Sequence, residues 1–382
     1  MKIVFTGGGS GGHLIPIIAI ARQIKKIYPE YRKKKTNSPE LQFYFVGPED
    51  KLGQAFLNSE KIKINNIFTG KFRRYFNPIS ILQNIFDIFV KVPIGIGQAF
   101  FYLFIISPDL VFSKGGYGAV PTVIAAKILL IPIFMHESDS APGFTNKFLR
   151  KFALEIFTSF PKTENFSVKK LIAVGNPIRE EVLSGNREKA KEIFNLSGQK
   201  PIILILGGSQ GARRVNDKIL EILPLLLDDF EIIHQCGQNN YQAIKKELPV
   251  IIKKDLEPYY HLYAFLKEEE MAQAYAAADL IISRAGSGSI FEIAAVGKPA
   301  ILVPLPESAQ DHQLKNSYAY QNIGAGLVME ENNFTPHFLL EKLKVLFKSP
   351  KKLKEMSDRA KRFSRPQAAR IIAHYILEYI TQ

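Results

Sequence analysis

Short apolar runs alternate with longer amphipathic stretches along most of this chain, and glycine-rich loops follow several of the short runs. Residues 3–5 predict a buried strand, and the apolar residues after Pro16 predict a helix. Five glycines and one serine connect the two, between Gly7 and Gly12. A glycine-rich turn from a strand into a helix exposes backbone N–H groups at the positive end of the helix dipole. The pattern therefore predicts a site for an oxygen-bearing, negatively charged group.

The first half of the chain continues this alternation. Strands are predicted at residues 41–46, 109–112 and 132–135, and a further unit runs through residues 62–68. A helix is predicted at 121–130, and residues 79–104 form a helical stretch that is broken near Pro93. Two polar motifs follow predicted strands, Lys114-Gly-Gly-Tyr-Gly-Ala119 and His136-Glu-Ser-Asp139. Because strands that alternate with helices form parallel sheets, ligands are expected at the carboxyl ends of these strands.

A second round of the same pattern begins after a connecting segment, Val174-Gly-Asn-Pro-Ile-Arg179. Strands are predicted at 202–206, 231–235, 263–266, 280–283 and 300–303, and helices at 213–227, 269–277 and 366–380, with further helices around Glu292 and after residues 310–313. The loop Gly207-Gly-Ser-Gln-Gly-Ala212 resembles the opening loop, because both are glycine-rich and connect a predicted strand to a predicted helix. We therefore predict an α/β protein with two similar domains, residues 1–165 with a terminal helix at 365–382, and residues 166–364.

Composition and charge limit the class of protein. The 382 residues are 46% hydrophobic, which is typical of a globular chain and excludes extensive disorder. A net charge of +14 favours an anionic partner, but no nucleic-acid motif is present and the basic residues are dispersed. A single cysteine, Cys236, fits a reducing compartment. No signal peptide is recognised before the first strand, and charged, proline and glycine residues interrupt the apolar region 79–106, so we expect a cytoplasmic protein without a clean transmembrane span.

The opening glycine loop has three interpretations. The spacing of Gly7, Gly9 and Gly12 matches the dinucleotide fingerprint, but the acidic residue expected after the second strand is poorly placed. Gly7 and Gly12 also have P-loop spacing, but His13-Leu14 stands where Lys-Ser/Thr is required. In the third interpretation, His13 is a general base held against the loop. The structural alternative is that His13 only caps the helix.

Several motifs, in one order along nearly the whole chain, resemble the MurG family of peptidoglycan N-acetylglucosaminyltransferases, glycosyltransferase family 28. They are Gly7-Gly-Gly-Ser-Gly-Gly-His13, Lys114-Gly-Gly-Tyr-Gly118, His136-Glu137, Gly175-Asn-Pro-Ile-Arg179, Gly207-Gly-Ser-Gln-Gly-Ala212, Ser289-Ile-Phe-Glu292 and Asp311-His-Gln-x-x-Asn316. The resemblance implies a GT-B fold, in which two Rossmann-like domains with parallel sheets face each other across a cleft and the C-terminal helix returns to the N-terminal domain.

The resemblance also implies an activity. The family transfers GlcNAc from UDP-GlcNAc, with inversion, to the MurNAc C4 hydroxyl of the undecaprenyl-linked precursor lipid I, and the product is lipid II of peptidoglycan synthesis. An enzyme of this kind is expected on the cytoplasmic face of the cell membrane as a peripheral protein. Its implied partners are UDP-GlcNAc, lipid I, an anionic membrane surface and other cell-wall synthesis proteins.

Site residues follow by resemblance. The implied catalytic residues are His13 and Asp139, either of which is a candidate base. The implied donor-binding residues are Ser10, Gly11, Gly12, His13, Asp139, Arg179, Ser209, Gln210, Phe265, Leu266, Arg284, Glu292, His312 and Gln313, and the implied acceptor-binding residues are Gly9, Tyr117, His136 and Glu137. The chain departs from the family in having Ser10 where Thr is usual and Asp139 where Asn is usual, and the 32–39 loop is longer.

The residue types suit these roles, and each has a structural alternative. Ser209 and its glycines offer donors to a diphosphate, or form only a tight turn. Arg179 neutralises phosphate, or forms an interdomain salt bridge. Glu292 accepts from a ribose diol, or is a helix-start carboxylate favoured by the dipole. No Asp-x-Asp motif of the metal-dependent sugar transferases is present, so we expect no catalytic metal and no cofactor; backbone dipoles and Arg179 would stabilise the leaving UDP.

The apolar region 79–106 has two interpretations. Preceded by Lys71, Arg73 and Arg74, this region is either a membrane-binding patch or a buried helix pair. The residues alone favour the buried pair, and the resemblance favours the membrane-binding patch.

Other functions are possible for this architecture. A UDP-GlcNAc 2-epimerase shares it but has no use for an apolar, basic face. A Rossmann oxidoreductase is disfavoured by two glycine loops and the missing ribose acid, and nucleic-acid binding depends only on net charge.

Overall fold

The chain forms two compact α/β units. The computed structural model describes residues 1–8, 11–33, 39–71, 73, 77–161, 163, 171–208 and 211–382. The first unit comprises Met1–Arg179 and Pro366–Gln382, and the second comprises Glu180–Arg365. The first unit thus extends beyond residue 165, the boundary expected from the sequence, because a strand at 171–173 pairs in its sheet.

The first unit is built on a seven-stranded parallel sheet with the strand order β3-β2-β1-β4-β5-β6-β7. Its strands are β1 (Lys2–Thr6), β2 (Gln42–Gly47), β3 (Lys63–Asn66), β4 (Leu110–Ser113), β5 (Ile133–Glu137), β6 (Glu155–Thr158) and β7 (Leu171–Ala173). Its helices are α1 (Gly11–Arg32), α2 (Lys51–Ser59), α3 (Pro78–Phe86), α4 (Val92–Ile106), α5 (Val120–Ile128) and α6 (Phe144–Leu149). The strand order reverses at β1, so the carboxyl ends of β1 and β4 form the switch point where ligands bind such sheets.

The second unit repeats this plan with a six-stranded parallel sheet in the order β10-β9-β8-β11-β12-β13. Its strands are β8 (Ile202–Leu206), β9 (Glu231–Gln235), β10 (Tyr260–Tyr263), β11 (Leu280–Ser283), β12 (Ala300–Leu302) and β13 (Gly326–Val328). Its helices are α7 (Arg187–Phe194), α8 (Arg213–Glu221), α9 (Leu223–Asp229), α10 (Gln238–Ile251), α11 (Glu268–Ala277), α12 (Ser287–Val296), α13 (His312–Asn322), α14 (Pro336–Phe347) and α15 (Pro350–Phe363). Its switch point lies at β8 and β11.

The last helix, α16 (Ala368–Thr381), belongs to the first unit. Ala369, Ile372, Ala373 and Ile376 recur at helical spacing and are buried in one core cluster with residues of α1 such as Ile17. The expectation that the C-terminal helix returns to the N-terminal domain is confirmed.

Several predicted bounds differ from those observed. Helix α1 begins at Gly11, five residues before Pro16, so the last two glycines of the loop, Gly11 and Gly12, lie in its first turn. The strand predicted at 263–266 is β10, which ends at Tyr263. The helix predicted at 213–227 is interrupted at Ile222, just before α9, whose second residue is a proline. Strand β5 continues through Glu137, because residues 134–137 pair with β6.

The region 78–106 is a continuous helix rather than a helix broken near Pro93. A π-helical turn, Asp87–Lys91, joins α3 to α4, and the Val92 N–H donates to the Asp87 carbonyl. This wider turn accommodates the missing N–H and the ring of Pro93, which lies at the start of α4. The helix is 29 residues long with a mean hydropathy of 1.8 over its most apolar window, so by length and composition alone it is able to cross a membrane. The expectation that the chain has no clean transmembrane span stays a prediction, because length and composition alone do not show that this helix crosses a bilayer.

Candidate active site

Two glycine-rich turns meet at the switch point of the first unit. Strands β1 and β4 are neighbours, with Thr6 opposite Ser113 at their carboxyl ends. A Cβ atom on Gly8 would lie 2.5 Å from the Gly118 backbone nitrogen, and a Cβ atom on Gly118 would lie 2.7 Å from Gly8 Cα. The two turns are therefore in direct backbone contact, which only glycine permits. Gly9 and Ser10 lie outside the described residues.

His13 lies against the second of these turns. It is in the first turn of α1 and is half-buried. Gly116 has a φ of +78°, and a Cβ atom there would lie 3.2 Å from both Cε1 and Nε2 of His13. A left-handed backbone and the close approach of the imidazole both require glycine at this position. The fold thus holds the His13 ring edge against the 114–118 turn.

A chain of hydrogen bonds joins this turn to the end of β5. The Gly116 N–H donates to Asn146 Oδ1 (3.3 Å), and Asn146 Nδ2 donates to Glu137 Oε2 (2.8 Å). The other carboxylate oxygen of Glu137 accepts from the Asp139 N–H (2.9 Å). Through Glu137 and Asn146, the backbone carrying Asp139 is fixed relative to the turn that contacts His13.

Buried charged and polar groups support this arrangement from beneath. The Lys114 ammonium, 1% exposed, donates to Ser138 Oγ, and Ser138 Oγ donates to Asn176 Oδ1 (3.2 Å). Burial lowers the pKa of Lys114. The negative charges of Glu137 and Asp139 raise it, but by less than burial lowers it. Burial, with the neighbouring charge of Asp139, raises the pKa of the Glu137 carboxyl. These shifts reflect the cost of placing ionised groups away from water.

His136 is a structural donor in this network. Burial, followed by the Lys114 charge, lowers its pKa well below the usual value, so the imidazole is neutral. Its Nε2–H donates to the Gly175 carbonyl (3.0 Å). The side chains of His136 and Glu137 are 0% and 2% exposed. Both side chains are therefore buried, and the expectation that they contact the acceptor stays a prediction. Tyr117 and Asp139, each half-buried, lie nearer the surface.

The switch point of the second unit also carries a glycine loop. Gly208 and Gly211 have φ values of +74° and +76°. A Cβ atom on Gly211 would lie 2.3 Å from Asn240 Nδ2 and 2.8 Å from the Cys236 carbonyl oxygen, so this residue must be glycine. The loop runs from β8 into α8, which begins at Arg213. Ser209 and Gln210 lie outside the described residues.

Glu292 is held in place within α12. It is the sixth residue of the helix and is buried, so it lies beyond the first turn, where the dipole acts most strongly. The buried Tyr275 hydroxyl donates to Glu292 Oε2 (3.0 Å). Its position in the second turn argues against the alternative that Glu292 is only a carboxylate favoured by the dipole at the helix start. The hydrogen bond from Tyr275 orients the carboxylate.

Arg284, expected to bind the donor, is engaged in an ion network. Its Nη1 lies 2.5 Å from Glu331 Oε2 and donates to the carbonyls of Val303 and Pro304. Glu331 Oε1 lies 2.5 Å from Arg214 Nε, and Arg214 also forms a bidentate pair with Glu307. In this structure Arg284 therefore positions the segment after β12. Arg179 is half-buried at the end of the first unit.

A strained turn precedes α13. Gln310 and Asp311 both have φ values of +55°, in the left-handed region that non-glycine residues rarely adopt. His312 Nδ1 donates to the Ala309 carbonyl (2.8 Å), and Gln313 Oε1 accepts from the Leu305 N–H (3.0 Å). Backbone strain of this kind persists where the surrounding structure enforces it and is frequent at functional sites.

The remaining expected donor contacts follow β10. Phe265 is exposed, whereas Leu266 is buried and its N–H donates to Gln235 Oε1 over 3.4 Å. Within the described ranges, no three His, Cys, Asp or Glu side chains are grouped as metal ligands. The expectation of a metal-independent reaction remains a prediction.

Sequence reasoning missed four side chains that organise these sites: Asn146, Tyr275, Arg214 and Glu331. Each lies in a helix or loop with no motif of its own. Asn146 is nine residues from Glu137 and Tyr275 is 17 residues from Glu292. Glu331 meets Arg284 from a distant segment, and Arg214 reaches Arg284 only through Glu331. Lys114 lay within a recognised motif but was assigned no role.

Comparison with known proteins agrees with this architecture. The N-terminal domain of glycosyltransferase family 28 matches residues 3–158, and its C-terminal domain matches residues 202–372. The chain is 38% identical, over 92% of its length and 91% of the relative's, to the UDP-N-acetylglucosamine–N-acetylmuramyl-(pentapeptide) pyrophosphoryl-undecaprenol N-acetylglucosamine transferase of Clostridium botulinum. It is 34% identical, over 99% of both chains, to transferase 2 of the same name from Bacillus thuringiensis subsp. konkukian.

Solved structures place the fold. The crystal structure of Acinetobacter baumannii MurG matches with a TM-score of 0.71 and 26% identity, covering 99% of both chains. A UDP-GlcNAc 2-epimerase from Neisseria meningitidis matches with a TM-score of 0.66 and 15% identity over 99% of this chain and all of that one, a likeness of fold alone. The two parallel-sheet units define a glycosyltransferase of the GT-B class. Within that class, the chain belongs to glycosyltransferase family 28.

Proposed function

We propose that this enzyme transfers GlcNAc from UDP-GlcNAc to the MurNAc C4 hydroxyl of an undecaprenyl-pyrophosphoryl-MurNAc-pentapeptide acceptor. The observation that carries the proposal is the similarity, over 99% of both chains, to relatives named for this reaction. The proposal assigns the acceptor to the β1–β4 switch point of the first unit and UDP-GlcNAc mainly to the β8–β11 switch point of the second.

The proposed reaction is a direct displacement. The acceptor oxygen forms a bond to the anomeric carbon while the bond from that carbon to the UDP oxygen breaks, and UDP leaves with the electron pair. The hydroxyl proton passes to a base, which we assign to the His13 imidazole. The contact between His13 and Gly116 supports this assignment, because a residue without a side chain beside the ring lets the acceptor approach it. Asp139 is the rival base.

The donor contacts support a binding role for Glu292. A carboxylate oriented by Tyr275 suits acceptance of hydrogen bonds from the two ribose hydroxyls. Backbone N–H groups of Gly207, Gly208 and Gly211 lie near the start of α8, where a diphosphate would bind. His312 and Gln313, which follow the strained turn, would contact the GlcNAc hydroxyls.

A product assay distinguishes this function from epimerisation. Labelled UDP-GlcNAc is incubated with the enzyme, with and without a lipid I analogue. The proposal expects UDP release and labelled lipid only when the analogue is present. Conversion of UDP-GlcNAc to UDP-ManNAc without acceptor would instead establish an epimerase and overturn the proposal.

We further propose that the α3–α4 helix binds the membrane that carries the acceptor. Ser80, Asn84, Asp87 and Lys91, here called the polar seam, recur at helical spacing and face the protein. Large apolar side chains along the same helix point outward: Leu82, Phe89 and Phe104 are 70%, 73% and 68% exposed. The structure thus contradicts the alternative of a buried helix pair. An outward apolar face of this extent is typical of a surface that contacts lipid.

The polar seam binds the preceding segment of the chain. Asn84 Oδ1 accepts from the Arg73 N–H (2.8 Å), and Asn84 Nδ2 donates to the Arg73 carbonyl (2.7 Å). Asp87 Oδ2 accepts from Arg73 Nη1 (2.7 Å) and from the Lys71 N–H (3.2 Å). Backbone groups of this segment are thereby satisfied without water, which supports a position at the lipid boundary. Lys71 adds an exposed positive charge that anionic headgroups attract.

Removing outward apolar side chains should weaken this membrane binding. Burial of one large apolar side chain stabilises by about 1.5–3 kcal/mol, so Leu82→Ser combined with Phe89→Ser should lower the vesicle partition constant at least about tenfold. The measurement is sedimentation with anionic vesicles. Val250→Ser, at an apolar site in the second unit that is even more exposed (90%), is the control and should not alter binding. Activity on a short-chain soluble acceptor should persist. Unchanged sedimentation of the double variant would refute the assignment of this helix.

A further inference from the structure

The Lys114 ammonium is a buried charge placed among acidic groups at the switch point. Its side chain lies beneath the first glycine loop, since a Cβ atom on Gly7 would lie 3.3 Å from Lys114 Cβ. Its backbone N–H donates to the Thr6 carbonyl (2.8 Å), which continues the pairing of β1 with β4. A lysine is almost never fully buried unless its charge is compensated. The groups around it should therefore explain its position.

The groups facing Lys114 come from the end of β5. Its ammonium donates to Ser138 Oγ, and Ser138 lies between Glu137 and Asp139 in the chain. Both carboxylates interact electrostatically with Lys114, and a third titratable neighbour among the described residues is the neutral His136. Glu137 is itself buried and accepts the Asp139 N–H. Without a cation, two carboxylates so close together would repel one another in a site with little water.

We propose that Lys114 is a positioning residue for the transfer reaction: its buried ammonium compensates the charges of Glu137 and Asp139 and fixes the 137–139 turn relative to His13. This inference rests on the proposed function and goes beyond it. It accounts for an acidic residue at position 139, where the family resemblance leads one to expect asparagine. Lys114 touches no reacting atom in this scheme. It acts through the turn that it holds.

A double-mutant cycle tests this compensation. Lys114→Met removes the charge and preserves the length of the side chain, while Asp139→Asn removes one negative charge and preserves its shape. We expect Lys114→Met alone to lower kcat by about ten- to a hundredfold, because it leaves carboxylates uncompensated in a buried site. In the Asp139→Asn background, the same change should cost no more than about threefold relative to that parent. A purely structural lysine would cost the same in both backgrounds.

Thermal unfolding of the same four proteins gives a readout that does not depend on activity. The midpoint should fall for Lys114→Met and recover when Asp139→Asn is added. Lys298→Met is the control, because Lys298 is a half-buried lysine that donates to the carbonyls of Ala276 and Ala278 in the second unit. Its effect on the midpoint should be independent of residue 139.

The outcomes separate this inference from the proposed function. Recovery of both kcat and the midpoint supports the inference, and so does recovery of folding if Lys114→Met alone does not fold. Equal losses in both backgrounds, or no loss at all, overturn it. If none of the proteins, including the wild type, transfers GlcNAc, the proposed function fails, whereas the thermal cycle still decides whether Lys114 compensates Asp139.

Discussion

Replacing His13 by alanine should lower kcat at least about a hundredfold while UDP-GlcNAc still binds. The acceptor alcohol is a weak acid and must lose its proton as the new bond forms, and a positioned base contributes roughly 10²–10⁴ in rate. An imidazole changes protonation near neutral pH and is suited to this task. The structure places its ring edge against Gly116, at the point where two glycine turns touch. Binding should persist, because the proposed donor residues lie mainly in the second unit.

Steady-state kinetics with a soluble acceptor and calorimetry with UDP-GlcNAc measure the two effects separately. His337→Ala, an exposed histidine of α14, is the matched control and should leave kcat unchanged. Asp139→Asn should be tolerated, since it restores the residue usual in the family. Normal turnover of His13→Ala would contradict the assignment. If Asp139→Asn is instead the inactive variant, the base is Asp139 and His13 only positions the acceptor.

Replacing Glu292 by alanine should weaken UDP-GlcNAc binding about ten- to a hundredfold. A hydrogen bond to a charged group contributes roughly 1.5–3 kcal/mol, and each 1.4 kcal/mol or so is a factor of ten in affinity. Glu292 is buried in the second turn of α12, and Tyr275 holds one of its oxygens. A bidentate grip on a ribose diol needs such an oriented carboxylate.

Calorimetry with UDP alone measures the contact between Glu292 and the ribose separately from contacts to the GlcNAc group. Glu188→Ala removes an exposed carboxylate of α7 that pairs only locally with Lys191, and it should leave the affinity as it is in the wild type. Tyr275→Phe should weaken binding less than Glu292→Ala, because it removes the orienting bond and keeps the carboxylate. Wild-type affinity for UDP in Glu292→Ala would remove Glu292 from the donor site.

The parts of the fold that local signals encode were predictable. Apolar runs of strand length and the two glycine loops are contiguous in sequence, so the alternation of strand and helix and both switch-point loops could be predicted before the structure. The sheet order then brings the Lys114 turn beside the opening loop, because β4 pairs with β1. Family resemblance supplied roles that spacing alone left open, such as the choice among three interpretations of the loop around His13.

The rest depended on contacts between distant segments. His136 and Glu137 are buried because β5 continues past Met135 to pair with β6, a pairing that no local pattern reveals. Arg284 forms a salt bridge with Glu331, 47 positions later in the sequence, and no motif could predict that pairing. The residues alone favoured a buried helix pair for the region 79–106, whereas the family resemblance predicted a membrane-binding patch there. A helix with apolar and polar sides normally buries its apolar side, and here the polar seam is instead held by the segment containing Lys71 and Arg73.

The most direct test of the proposed transfer is the structure of the product formed from UDP-GlcNAc carrying a carbon-13 label at the anomeric carbon. Nuclear magnetic resonance of the purified product reports both the anomeric configuration and the hydroxyl to which the sugar is joined. The donor sugar is α-linked, so an inverting displacement predicts a β-linked GlcNAc on the C4 hydroxyl of the acceptor's MurNAc. An α-linked product, a linkage to another hydroxyl, or label recovered only as UDP-ManNAc would contradict the account.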